Sequence, residues 1–176
     1  FDRLRFSCMY KENIKVIEDE KYGLRDPYLQ RVDFKLSYNL SSNSDVEVYT
    51  WKELARKAYA NIATFSDKEK KAVSKFIDGA NIPSGAGEEK TIILLEDYMK
   101  THINIDEKLA GDDADNIEAI VKTSNTNNFG AVRLFVGLLE NKNINYQVVF
   151  PSVRDQLPLD EELADWNRID ETLIYF

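Results

Sequence analysis

The sequence is short of the side chains that most often carry chemistry. It has one cysteine, Cys8, and one histidine, His102. A lone cysteine excludes an internal disulfide. With one distant histidine it also falls short of the three or four ligands a protein zinc site needs. Positive charge is scarce: 23 Lys+Arg against 31 Asp+Glu leave a net charge of -8, the wrong sign for neutralising phosphates, so nucleic acid is not an expected partner. The one basic run, Lys68, Lys70 and Lys71, is interrupted by Glu69 at helical spacing, which predicts a solvated helix face. No apolar run approaches the ~20 residues of a membrane-spanning helix. Phe1 to Tyr10 lacks the uncharged core of a signal peptide, so insertion of this chain is not expected. A start at Phe rather than Met reads as a processed product or an excised piece.

What is present suffices for a core, since 43% of 176 residues are hydrophobic. The first third reads as β. Val32, Phe34, Leu36 and Tyr38 alternate with Arg31, Asp33, Lys35 and Ser37, the period-two pattern of a half-buried strand. Leu4, Phe6 and Cys8 alternate likewise, and Val46 to Tyr49 follows a polar turn at Ser41 to Asp45 as a short extended piece. Near Thr50 the pattern turns helical. Thr50 with Glu53 and Ser66 with Glu69 form two capping boxes, which predict helices over 51–62 and 67–77. GANIPSGAG is a loop, and Ile92, Leu95, Met99 and Ile103 then describe a helical face ending near His102. A shorter helix follows Asp115, with Ile117, Ile120 and Val121 inward. From Asn128 to Lys142 apolar residues occupy most of the helix circumference, which predicts a central, buried helix. Ile144, Tyr146, Val148 and Phe150 alternate as a strand stopped by Pro151, and Thr172 to Phe176 reads as another strand. The expected class is α+β, with a β-rich segment over 1–49 and a helical-lobe-plus-antiparallel-sheet core over 50–176.

The usual motifs fail on placement. SGAGEEKT follows a helix instead of a strand and puts Glu89 where a phosphate-binding loop needs glycine. Asp112, Asp113, Asp115 and Glu118 lack calcium-loop spacing and read as acids complementing a helix start. His102 falls at a helix C-terminus, where an imidazole caps carbonyls. Cys8 sits among Phe6 and Tyr10 as a small buried hydrophobe. Asn39-Leu40-Ser41 fits the glycosylation sequon, a pattern frequent by chance. Asp170 and Glu171, adjacent on an expected strand, point to opposite faces and cannot share one substrate. No cofactor and no metal are expected.

Three ordered blocks span about half the chain: LLEDYMKTHINIDEKL, ADNIEAIVKTSNTNNFGAVRLFVGLLENKNINYQVVF and DWNRIDETLIYF. They resemble the transglutaminase-like superfamily, which has a papain-like core. FSCMYKENIKVIEDEKY, RVDFKLSY and VEVYTWKELA are similar to the end of the β-rich domain that precedes this core in multidomain bacterial proteins. Those relatives are exported by Bacteroidetes-type bacteria, so the resemblance implies a periplasmic or cell-surface location.

In active members a cysteine begins the buried helix and a later strand carries the histidine, because the positive end of a helix favours thiolate and an imidazole across the cleft completes the ion pair. The resemblance puts Asn128 at the cysteine position and Glu171 at the histidine position. The third catalytic position falls beyond Phe176, so the core is expected to be truncated. What it implies is a pseudoenzyme: a binding or scaffold module for a peptide or protein ligand, with Asn128, Trp166 and Glu171 clustered at a groove. The alternative is a hydrolase or peptidase with a rearranged site in which Glu171 activates water. The apolar edge Leu173-Ile174-Tyr175-Phe176 predicts self-association.

Overall fold

The computed structural model describes Lys35, Tyr38, Glu47 and residues 49–152, 159–169 and 171–176. The alternating strand segments of the first third, Cys8, the glycosylation sequon and Asp170 otherwise lie outside the described residues. Over the described residues the chain is α+β, with five helices and two small two-stranded sheets, helix predominating.

The helices begin where polar caps stand. α1 (Trp51–Ala63) starts at Thr50, whose hydroxyl accepts from Glu53 N at 3.2 Å. Only this half of the expected box forms, because the Glu53 carboxylate turns to Arg56 Nη2 at 3.0 Å, one turn on along the exposed face. α2 (Asp67–Gly79) has the complete box: Ser66 Oγ accepts from Glu69 N, and Ser66 N donates to Glu69 Oε2 at 2.9 Å. Lys68, Lys70 and Lys71 are exposed on it. A turn at Pro83 to Ala86 with Gly85 at φ 82, where a side chain would be strained, leads into α3 (Glu88–His102). At its end His102 Nδ1 lies 2.9 Å from the Tyr98 carbonyl, which can only accept, so Nδ1 carries the proton and the imidazole caps the helix. α4 (Ile117–Thr123) is capped by Asn116 and closed by Ser124 in the left-handed region. α5 (Asn128–Asn141) is capped by Asn127, whose Oδ1 accepts from Gly130 N at 2.8 Å.

α5 is the axis of the fold. Leu134, Val136, Leu138 and Leu139 are 0% exposed, each contributing about 1.5–3 kcal/mol by burial. Around them pack Val73, Phe76 and Ile77 of α2, Ile92 and Leu95 of α3, and Ile117 and Ile120 of α4. α1 lies on the same helix. A Cβ on Gly130 would collide with Thr126 Oγ1 and the Ala114 carbonyl. Glycine is therefore what lets α5 start flush against that loop.

Two sheets flank the bundle. β1 (Asn104–Ile105) and β2 (Asn125–Thr126) form a two-residue parallel ladder without a periodic signal in the sequence. β3 (Gln147–Val149) pairs antiparallel with β4 (Leu173–Tyr175), Val148 opposite Ile174. The ladder is shorter than the alternation over 144–150, but its phase agrees: Ile144 is buried and Tyr146, Val148 and Phe150 are half-buried, whereas Asn145, Gln147 and Val149 are exposed. The expected antiparallel sheet is thus one two-stranded ladder among the described residues, since only β3 and β4 pair in that sense. Glu171 precedes β4 instead of lying within it, which corrects its expected place on the strand. Between β3 and β4 the chain returns to α1, where Trp51 Nε1 donates to the Asp160 carbonyl at 2.7 Å. It then makes a 3₁₀ turn at Trp166–Arg168.

Candidate functional site

A groove of about 230 Å³ runs between α3, α5 and β4. Met99 of α3 and Ala131, Val132 and Phe135 of α5 give it apolar walls. Glu96 and Lys100, joined at 2.6 Å, stand on the α3 side. The opposite wall is Thr172, Leu173 and Ile174. Leu173 and Ile174 begin β4 and Thr172 immediately precedes it, so this wall is the start of the strand. Among the described residues β4 pairs with β3 alone.

Neither of the two positions singled out by the resemblance lines this groove, and Trp166 does not line it either; Asn128 and Glu171 stand near residues that do. Asn128 is the first residue of α5 and is exposed. Ala131 and Val132, three and four residues on, share its helix face and line the groove. Glu171 is exposed and stands next to Thr172, which lines the far wall. None of the hydrogen bonds of the described residues joins Asn128 to Glu171. Trp166 opens the 3₁₀ turn in the β3–β4 connection. The neighbouring Asn127 does the capping, and its Nδ2 also donates to the Leu109 carbonyl at 3.2 Å, holding the loop before α4 against the start of α5.

A largely buried ion pair joins α5 to α2. Arg133 of α5 reaches Glu69 of α2 at 3.2 Å, with side chains 11% and 9% exposed. Nη1 donates to the Asp115 carbonyl at 2.6 Å, the Nη2 that reaches Glu69 also donates to the Thr64 carbonyl at 3.0 Å, and the guanidinium sits 5.6 Å over the Phe65 ring. Glu69 also accepts from Ser66 N and Oγ and, at 3.4 Å, from Ile117 N, the first residue of α4. Burial alone would raise the Glu69 carboxyl. The Ser66 hydrogen bonds, the Arg133 charge and the Ile117 amide outweigh it and hold the group below the ordinary glutamate value. One carboxylate thus fixes the starts of α2 and α4 against α5, the helix whose first turns form one groove wall. Sequence reasoning missed this pair. Its only signals were an acid breaking a lysine run and an arginine inside an otherwise apolar helix.

Among the described residues no group of three or more His, Cys, Asp or Glu is placed to hold a metal ion, and no helix is long and apolar enough to cross a membrane. Comparison with protein-family models, curated proteins and solved structures returned no match.

Proposed function

We propose that this chain is a non-catalytic, transglutaminase-like domain, a pseudoenzyme that binds an extended peptide or protein segment in the groove between α3, α5 and β4. The reading includes a place within a larger exported bacterial protein of the periplasm or cell surface. The observation that carries it is the groove itself, apolar on its helical side and closed on the other by Thr172 and the first residues of β4, with Asn128 one helical turn before Ala131 and Val132 and Glu171 next to Thr172. An extended segment suits such a place: its main chain pairs with a strand edge while alternate side chains enter the apolar wall. At Asn128 a carboxamide is no nucleophile, and a glutamate at 171 has no thiol to activate. Covalent catalysis of the family's kind therefore has no starting group at these positions.

The experiment combines turnover and binding. Peptidase and transamidation assays on the wild type and on Glu171→Gln should read blank. A library of labelled extended peptides should give anisotropy signals that Val132→Asp, a charge in the groove wall, removes without loss of helix content. Turnover that disappears in Glu171→Gln would overturn the proposal in favour of a rearranged hydrolase. Binding indifferent to Val132→Asp would place the ligand elsewhere and also count against it.

A further inference from the structure

Away from the groove, α1, α5 and the segment entering β3 converge on two phenols. Tyr59 Oη lies 3.1 Å from Tyr146 Oη, and Tyr146 Oη lies 2.8 Å from Glu140 Oε1. The rings are stacked, with centroids 6.5 Å apart and 23° between their planes. A phenol has one proton and an ionised carboxylate only accepts, so Tyr146 donates to Glu140 and Tyr59 donates to Tyr146. The hydrogen bonds run in one direction and end on a base. Tyr146 packs against the core while Tyr59 is 46% exposed, so one ring is anchored and the other is open to solvent-borne reagents. Partial burial, with the Tyr59 and Glu140 hydrogen bonds, holds the Tyr146 phenol far above its ordinary value. The ring therefore meets an oxidant in its protonated form, with an acceptor for that proton already bonded.

We propose that Tyr59 and Tyr146 form a one-electron oxidation site whose product is an intramolecular dityrosine. The oxidant is of the haem-peroxidase class, with hydrogen peroxide reduced to two waters. Loss of one electron from Tyr146 moves its hydroxyl proton to Glu140. Loss of a second electron from Tyr59 releases that ring's proton to solvent. The two phenoxyl radicals join through ring carbons ortho to the oxygens, each bonded to the carbon that bears a contacting hydroxyl. As aromaticity returns, the two ortho hydrogens move to the phenolic oxygens. The net loss from the protein is two electrons and two protons, matching the peroxide. The bond ties α1 to the approach of β3, residues 87 apart in sequence. This inference stands apart from the groove and does not rest on the function proposed for it.

The test treats the full folded chain with a haem peroxidase and hydrogen peroxide and follows blue dityrosine fluorescence, intact mass and the cross-linked peptides. The expected product is one link per chain between the Tyr59 and Tyr146 peptides, in a yield unchanged by dilution. Tyr59→Phe and Tyr146→Phe, which keep both rings, should each abolish it. Glu140→Gln keeps the contact but removes the proton acceptor, and should slow formation about a hundredfold at neutral pH. Links that join other members of the chain's 9 tyrosines, links between chains that increase with concentration, or a Glu140→Gln rate equal to wild type would each overturn the proposal.

Discussion

Replacing Glu69 with alanine tests the polar node that ties α2 and α4 to α5. Two losses follow from the geometry. The reciprocal half of the α2 capping box disappears, a loss of about 1 kcal/mol. The Arg133 guanidinium, 11% exposed, is left without its anion, and stripping one partner from a buried pair costs about 3–5 kcal/mol. Arg133 keeps the Asp115 and Thr64 carbonyls and the Phe65 ring, which puts that second cost at the low end of its range. The expected total for Glu69→Ala is about 3–4 kcal/mol, or roughly 6–16 °C in Tm for a chain of this size. Arg133→Met alone leaves Glu69 with the Ser66 and Ile117 amides and should cost about 3 kcal/mol. Because both variants break the same contact, the double variant should fall short of their sum by about 2 kcal/mol. Urea unfolding followed by helical circular dichroism at neutral pH measures all four corners of this cycle. Single costs below about 1 kcal/mol, or additivity within about 0.5 kcal/mol, would refute the assignment of this pair as the tie between α2, α4 and α5.

Further consequences follow from the same packing. The Glu69 carboxyl titrates below its ordinary value when folded, so its stabilisation is complete at neutral pH and is lost as pH falls through the folded value. The stability gap between wild type and Glu69→Gln should therefore close below about pH 4, read from paired urea titrations. Gly130→Ala would push a methyl into Thr126 Oγ1 and the Ala114 backbone, and should cost about 3 kcal/mol, at the upper end for overpacking. Leu138→Ala, at a fully buried position of α5, should cost about 3–4 kcal/mol by the same unfolding assay. Thr50→Ala should cost less than Ser66→Ala, since only the Ser66 box is complete; equal losses in thermal melts would contradict the difference between the two caps.

The helical half was legible because its signals are local. Ser66 and Glu69 mark a start within one turn, and the apolar residues of 128–142 can be sorted around a helix without knowing any partner. The signal for the cap of α5 is equally local, an asparagine at 127 three residues before Gly130, but the asparagine that follows it at 128 offers the same chemistry and blurs the boundary by one residue. Thr50 and Glu53 show where local reading fails: the spacing of a capping box was present, yet Arg56 lies within reach of the same carboxylate and takes it. β1 and β2, two residues each, give no period to detect. The Glu69–Arg133 pair joins residues 64 apart, and nothing near either residue names the other. Only the packing of α2 on α5 brings them together. The lining of the groove from Met99, Val132 and Leu173 depends on how β4 sits against α3 and α5, which no segment carries by itself.

The proposed function depends on residues 128 and 171 standing where a thiolate and its imidazole meet in catalytically active transglutaminase-like proteins. Alkylation kinetics test that equivalence directly. In a Cys8→Ser background, Asn128→Cys provides the only thiol, at the first position of a 14-residue helix. Its pH–rate profile with iodoacetamide should place the thiol below the ordinary value of about 8.5. Adding Glu171→His should lower it again by about one unit or more, through ion-pair formation across the groove. Coincident profiles with and without Glu171→His would contradict the account.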